Sequence, residues 1–131
     1  MHGSVLTAGS LISEIIEGLS DLSVDSRIAV CPSFVHLDLV CQILKNSGSK
    51  IELGAQDARP ENEGAFTGDI SASMLKDFGA SLVLVGHSER RLGLGESDEL
   101  IASKFGAIKD TGLTPVLCVG ESESQRKAGK T

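Results

Sequence analysis

The chain has 131 residues, of which 40% are hydrophobic, enough to build the core of one domain. Its formal net charge of −6 argues against general binding to nucleic acid or to acidic membrane surfaces. The apolar runs are too short to cross a bilayer and the first residues do not resemble an export signal, so we expect a cytoplasmic protein.

The first part of the chain predicts two helices separated by a short strand. Apolar residues at helical spacing predict a first helix over residues 11–19. A short strand is predicted at Arg27 to Cys31, where Pro32 ends it. A second helical stripe follows and is ended by Gly48. The apolar members of this second stripe are Leu37, Val40, Cys41 and Leu44.

A second strand is predicted from Ile51 to Ala55, and a long polar loop extends from Gln56 to Asp69. Ser71 is expected to cap a helix that continues through Phe78, with Gly79 as its left-handed terminator. A loop of this length inside a compact domain usually has a function.

The last part of the chain predicts two further strands and two helices. The third strand is Leu82 to Val85, four apolar residues that we interpret as buried on both faces. A helix is predicted from about Glu96 to Lys109. Pro115 leads into a fourth strand, Val116 to Val119, and residues 122–128 predict a short polar helix.

The spacing of these strands indicates an α/β fold with parallel strands. Their cores begin near residues 28, 51, 82 and 116, at steps of 23, 31 and 34 residues, the length of a right-handed strand–helix–strand crossover. Polar and glycine-rich segments follow each strand, as in open α/β sheets and (β/α)8 barrels, whose sites lie at the carboxyl ends of the strands. Four such units are half of a barrel of about 250 residues, and both chain ends look cut, so we expect part of a larger domain.

The densest polar cluster follows the third strand. Residues 87–91 supply one imidazole, one hydroxyl, one carboxylate and two guanidinium groups directly after a rigid strand. This composition favours acid–base chemistry on an anionic substrate. The three cysteines, Cys31, Cys41 and Cys118, lack metal-ligand spacing, and we interpret them as small buried thiols in a reducing compartment.

The segment Val85-Gly86-His87-Ser88-Glu89-Arg90-Arg91 resembles the fourth-strand motif of triosephosphate isomerase. Four other segments resemble further parts of this family in the same order, so the resemblance covers essentially the whole chain. They are Met1 to Ser4, Gly54 to Asp57, Gly64 to Ser71 and Pro115 to Glu121. The chain departs from the family at Leu92 to Gly95, where aromatic residues are frequent, and at Asp57, where Asn is also common.

The resemblance implies that residues 1–131 form one incomplete TIM-barrel domain, from just after the first-strand lysine to the loop after the fifth strand. It implies an isomerase of glycolysis and gluconeogenesis, which interconverts dihydroxyacetone phosphate and glyceraldehyde 3-phosphate through an enediol(ate). The family uses no cofactor and no metal, and it forms homodimers. A carboxylate removes the proton next to the carbonyl, and an imidazole polarises the carbonyl oxygen.

By this resemblance, His87 is the electrophile. Triosephosphate isomerase is itself the established example of a neutral imidazole held so by a helix N-terminus, so this role comes from the family and not from the sequence. From the residues alone, a main-chain N–H of Ser88 or Glu89 can hydrogen-bond one ring nitrogen and aim the other N–H at substrate. The alternative is a strand-end histidine that satisfies local backbone.

The neighbouring residues have supporting roles or structural alternatives. Glu89 is predicted to support His87 by pairing with a lysine upstream of this chain, or to cap the next helix with its carboxylate. Ser88 either orients the catalytic carboxylate or caps that helix. Arg90 and Arg91 are better explained by buried or interface ion pairs than by phosphate binding.

The resemblance also assigns an interface. Thr67 resembles the loop residue that reaches into the neighbouring subunit's site, with Phe66 and Gly68 beside it. The alternative, a solvated loop, would leave Phe66 exposed. Glu96 is predicted to be a helix-start or interface carboxylate.

The family's base, lid and phosphate loops lie outside the matched segments, so we expect this chain alone to be nearly or wholly inactive. Its open strand edges predict self-association or aggregation. One alternative is a non-catalytic half-barrel that self-associates or binds sugar phosphates. Another is an unrelated open-sheet domain of the receiver type, which would need an acidic pair after its first strand and has only Asp57 in support.

Overall fold

The computed structural model describes residues 3–19 and 26–129, which contain six α-helices and four β-strands. Met1 and His2, part of one family-like segment, lie outside the described residues. The helices are α1 (Val5–Leu19), α2 (Leu37–Ser47), α3 (Ala72–Asp77), α4 (Ser88–Gly93), α5 (Asp98–Asp110) and α6 (Glu123–Lys127). The strands are β1 (Ala29–Val30), β2 (Glu52–Ala55), β3 (Leu82–Val85) and β4 (Thr114–Leu117).

The four strands form one parallel sheet in the order β1-β2-β3-β4. Each connection between neighbouring strands contains at least one helix, which is the geometry of successive strand–helix–strand units. All four carboxyl ends therefore lie at the same edge of the sheet. This confirms the predicted α/β fold and its consistency with part of a (β/α)8 barrel.

Local sequence explains the best-predicted elements. All four apolar members of the α2 stripe are buried, and Gly48 ends the helix in a left-handed conformation with φ of +65°. The Ser71 side chain accepts a hydrogen bond from the Met74 main-chain N–H and caps α3 as predicted. Gly79, the predicted terminator, has φ of +87°.

The edge strands differ from prediction. Strand β1 has two residues, where five were predicted, and β4 begins at Thr114, where Val116 was predicted. Thr114 N and Cys118 N donate to carbonyl oxygens of the β3 segment at 2.9 and 2.8 Å. Because main-chain N–H groups alternate in direction along a strand, the nitrogen of Pro115 faces the other side, where its missing hydrogen costs β4 no bond to β3.

The core lies between one face of the sheet and the helices. Val83 and Val85 on β3 are completely buried, and the largest fully buried side chains on the helices are Leu75, Ile108 and Val40. Leu82 and Leu84, on the other face of β3, are only half-buried. The prediction that this strand is buried on both faces is therefore wrong for the face that carries Leu82 and Leu84. Among these residues, no helix is long and apolar enough to cross a membrane.

The three thiols are free, and only Cys41 is buried. Cys31 and Cys118 are half-buried, which corrects the prediction of three buried thiols. Burial and the neighbouring Cys118 raise the pKa of Cys31. A Cβ atom added at Gly54 would lie 2.6 Å from the Cys31 sulfur, so this strand position requires glycine for close approach.

Glu52, at the amino end of β2, predicts a specific dependence of stability on pH. Hydrogen bonds from Arg27, at 2.7 and 2.8 Å, and from Ser81, at 2.6 Å, lower its pKa from 4.5 to about 2. A carboxyl whose pKa is lower in the folded state stabilises the fold above its ordinary pKa, and that contribution is lost as pH falls. We therefore expect the free energy of unfolding of Glu52→Gln to decrease less than that of the parent as the pH is lowered from about 5 to about 2.

Urea unfolding at a series of pH values measures this difference. Glu123→Gln is the matched control, because Glu123 forms only an exposed ion pair with Lys127 at 2.6 Å. Parallel pH profiles for the parent and Glu52→Gln would contradict the assignment.

Candidate active site

The predicted polar cluster lies at the carboxyl edge of the sheet, directly after β3. Gly86 follows the last strand residue with φ of +69°, which reverses the chain at the strand end. His87 then has an extended conformation and is the N-cap residue of α4. Its side chain is 46% exposed, so the ring is accessible to solvent.

A local hydrogen bond fixes the orientation of the His87 ring. The Glu89 main-chain N–H donates to Nδ1 at 3.3 Å, which confirms the hydrogen bond predicted for one of the two following residues. Since Nδ1 accepts a hydrogen bond, the hydrogen of the neutral ring lies on Nε2. The arrangement therefore presents one N–H donor at the carboxyl edge of the sheet.

The side-chain contacts of Ser88 and Glu89, the two residues after His87, do not show a catalytic role for either residue. Ser88 is the first helical residue of α4 and is exposed, whereas His87 itself is the N-cap, so the predicted capping role of Ser88 is wrong. Glu89 lies in the first turn of α4 and its carboxylate does not cap the helix, so its predicted capping alternative is wrong. Its carboxylate is 3.8 Å from His87 Nδ1 and its side chain is 89% exposed. The supporting role of Glu89 stays a prediction.

Both arginines form ion pairs, but only the pair of Arg90 is with buried carboxylates, as predicted, whereas the Asp98 partner of Arg91 is 86% exposed. Arg91 donates from Nε to the Gly86 carbonyl oxygen at 2.7 Å and from Nη1 to Asp98 at 2.6 Å. Arg90 contacts Asp57 and Glu96, each at 2.8 Å. Because both guanidinium groups are engaged with carboxylates, neither is left as a free phosphate anchor.

Arg90 belongs to a buried ion cluster, which we define as Asp57, Arg90, Glu96 and Lys104. Lys104 Nζ lies 2.9 and 2.8 Å from the two oxygens of Asp57 and 2.5 Å from Glu96. The side chains of Lys104 and Glu96 are each 5% exposed. The cluster therefore joins the loop after β2, helix α4, the turn at Glu96 and helix α5.

The two carboxylates of the ion cluster differ in their pKa shifts. Burial raises the pKa of Asp57, and the hydrogen bonds and charges of Lys104 and Arg90 offset only part of this effect. Burial acts in the same direction on Glu96, but the hydrogen bonds that Glu96 accepts from Lys104 and Arg90 outweigh this effect. The pKa of Glu96 is therefore lowered. A charged cleft of about 410 Å³ is lined by Asp57, Arg90 and Lys104 but not by His87, so it does not mark a substrate site beside the imidazole.

Glu96 does not start a helix. Helix α5 begins at Asp98 and is capped by the Ser97 side chain, which accepts from Leu100 N. The helix-start prediction for Glu96 is therefore wrong, because its carboxylate turns inward to Lys104. Its predicted interface role stays a prediction.

The polar loop supplies its own partner for the aromatic ring. Thr67 and Gly68 are exposed, as an interface loop requires, but Phe66 is half-buried. The Arg59 guanidinium lies 3.6 Å from the Phe66 ring centroid, and it also contacts Asp69 at 2.5 Å. Phe66 therefore does not need a partner subunit to be covered, and the interface roles of these loop residues stay predictions.

Lys104 and Asp57 are the site-supporting residues whose pairing the sequence analysis missed. Lys104 stands in a helical stripe with Ile101 and Ile108, both of which are buried. A lysine in a buried stripe requires a carboxylate partner, and this signal was available. Within residues 3–19 and 26–129, no group of three or more His, Cys, Asp or Glu side chains is placed to hold a metal ion.

Comparisons with known proteins agree on one family. The family model described as triosephosphate isomerase matches residues 1–131. A triosephosphate isomerase of Vibrio parahaemolyticus is 49% identical over 127 residues, which are 93% of this chain and 49% of the relative. That of Vibrio cholerae is 49% identical over 134 residues, covering 100% of this chain and 51% of the relative. That of Methylococcus capsulatus is 45% identical over 131 residues, covering 100% of this chain and 51% of the relative. The chain spans about half the length of these curated relatives.

Proposed function

Because this chain belongs to the triosephosphate isomerase family, we propose that it forms part of an enzyme that interconverts dihydroxyacetone phosphate and glyceraldehyde 3-phosphate. The observation that supports this most directly is the orientation of His87. Its Nδ1 accepts from Glu89 N at 3.3 Å, so the neutral ring offers its Nε2–H at the carboxyl edge of the sheet. The sites of barrel enzymes lie at this edge.

The proposed chemistry uses this N–H as the electrophile. A carboxylate base removes the proton from the carbon next to the substrate carbonyl, and negative charge develops on the carbonyl oxygen. A fixed N–H donor aimed at that oxygen stabilises the enediolate more than the ground state, which lowers the barrier. In this proposal Glu89 supports His87 by pairing with a lysine outside this chain, and Ser88 helps to orient the catalytic carboxylate.

The other parts of the proposal concern what this chain does not supply. Arg90 and Arg91 are engaged by Asp57, Glu96 and Asp98, so the substrate phosphate is bound elsewhere. In the family, the base and the phosphate loops belong to segments that this chain does not match. We therefore expect the 131 residues alone to be nearly or wholly inactive.

We include a homodimer in the proposal, with Thr67, Phe66, Gly68 and Glu96 at or near its interface. Thr67 and Gly68 are exposed in a loop that Arg59 holds through its contact with Phe66, and this is compatible with docking into a second subunit. The alternative function is a non-catalytic, self-associating or sugar-phosphate-binding half-barrel. The exposed Val116 and Leu117 on edge strand β4 favour self-association of the isolated chain.

A completed barrel tests the proposal. This chain would replace the 134 matched residues of the Vibrio cholerae enzyme, and the hybrid, called the completed barrel below, would be assayed for isomerisation in both directions. We expect activity from the completed barrel and little or none from the chain alone, because loss of a general base by itself lowers the rate by about 10²–10⁴-fold. A folded completed barrel without activity, beside an active Vibrio enzyme prepared in the same way, would favour the non-catalytic alternative.

A further inference from the structure

One peptide group connects the sheet to the candidate electrophile, and a side chain holds it. The Val85 carbonyl accepts from Cys118 N at 2.8 Å and so belongs to the sheet. The His87 carbonyl accepts from Arg90 N at 2.9 Å and so belongs to helix α4. The Gly86 carbonyl lies between these two, and Arg91 Nε donates to it at 2.7 Å.

The position of this peptide group sets the direction of the His87 side chain. The Gly86 carbonyl is part of the peptide plane that precedes the His87 α-carbon, so a rotation of that plane would turn the imidazole. Glycine with φ of +69° is conformationally permissive, and its own backbone does little to resist such a rotation. The hydrogen bond from Arg91 therefore restrains the point at which the chain is most free to turn.

Two further contacts anchor the Arg91 side chain. Its Nη1 donates to Asp98, the first residue of α5, at 2.6 Å. A Cβ atom added at Gly86 would lie 2.9 Å from Arg91 Nη2 and 3.1 Å from Ile101, so the guanidinium packs directly against the Gly86 α-carbon. Since Ile101 is 4% exposed and belongs to the core, the peptide before His87 is held between α5 and the guanidinium.

We infer that Arg91, anchored by Asp98, is a positioning residue for His87: it fixes the Gly86–His87 peptide so that Nδ1 meets the Glu89 N–H and Nε2–H meets the substrate carbonyl. This inference rests on the proposed function. It assigns Arg91 neither to phosphate binding nor to a subunit interface, the uses otherwise expected of an arginine at such an edge. A small displacement of the ring is sufficient for a large effect, because catalysis depends steeply on the orientation of reacting groups.

Arg91→Met in the completed barrel tests the inference. We expect kcat to fall by about 10- to 100-fold with KM nearly unchanged, since the ring is misplaced while substrate binding is retained. With ¹⁵N-labelled histidine, the ring nitrogen shifts of His87 should change from one Nε2–H tautomer to a mixture. Arg91→Lys should give an intermediate result, because a single ammonium group cannot reproduce both hydrogen bonds of the guanidinium, to Gly86 and to Asp98.

Arg27→Met is the matched control. It removes a different arginine side chain with two hydrogen bonds, both to Glu52 at the amino end of the sheet, and should leave kcat and the His87 tautomer unchanged. Parent-like kcat and ring shifts in Arg91→Met, measured well below both unfolding midpoints, would overturn the inference. If Arg91→Met does not fold, the same two measurements on Asp98→Asn decide, since a side chain that is 86% exposed is expected to tolerate this change, and parent-like kcat and ring shifts would overturn the inference. An unaffected His87→Gln enzyme would instead overturn the proposed function.

Discussion

Replacement of His87 by glutamine in the completed barrel is expected to lower kcat by about 10²–10⁴-fold. The glutamine amide can still donate a hydrogen bond, but it cannot be held by Glu89 N through an aromatic nitrogen, as the imidazole is at 3.3 Å. It also cannot give a proton to the enediolate oxygen and take it back, which a neutral imidazole can do. The change should therefore act on the transition state and leave KM nearly unaltered.

Steady-state kinetics in both reaction directions give this comparison. Lys50→Gln is the control, because Lys50 is exposed at the amino end of the sheet, just before β2. Circular dichroism and thermal unfolding of both variants separate a catalytic loss from a folding defect. Parent-like kcat in a folded His87→Gln enzyme would remove His87 from the mechanism.

The central strand and the caps were predictable because their causes are local. Strand β3 has the predicted bounds, since Leu82 to Val85 is an uninterrupted apolar run that stops at a glycine. Ser71 and Gly79 mark the two ends of α3 by short-range hydrogen bonding and backbone conformation. The hydrogen bond between His87 and Glu89 spans two residues and was predictable for the same reason.

The edge strands and helix α4 were not predictable in this way. The limits of β4 follow from its register with β3, where Leu82 pairs with Thr114, and not from the apolar run that ends at Val119. Helix α4 has six residues and too short a pattern to show helical periodicity. Its position depends on contacts that Arg90 makes with Asp57 and Glu96 and on those that Arg91 makes with Gly86 and Asp98.

The ion cluster depends on contacts distant in sequence, and no local pattern specifies its pairs. Asp57 and Lys104 are 47 residues apart and meet only because β2 and α5 pack around β3. The sequence therefore predicted charges beside the site but not which of them would be buried together. The cost of leaving a buried charge unpaired makes these contacts energetically decisive.

Lys104→Met is expected to destabilise the protein by about 3–5 kcal/mol. Methionine has a similar length and fits the stripe between Ile101 and Ile108, so little packing is lost. The change leaves the buried carboxylates of Asp57 and Glu96 with Arg90 as their shared cation. Urea unfolding near neutral pH measures the loss, and the loss should shrink at acid pH, because protonation removes the uncompensated charge.

Lys127→Met is the matched control. It removes an ion pair in which the lysine side chain is 75% exposed, and it should change stability little. Equal stability of the parent and Lys104→Met would show that the ion cluster does not hold α5 to the loop after β2.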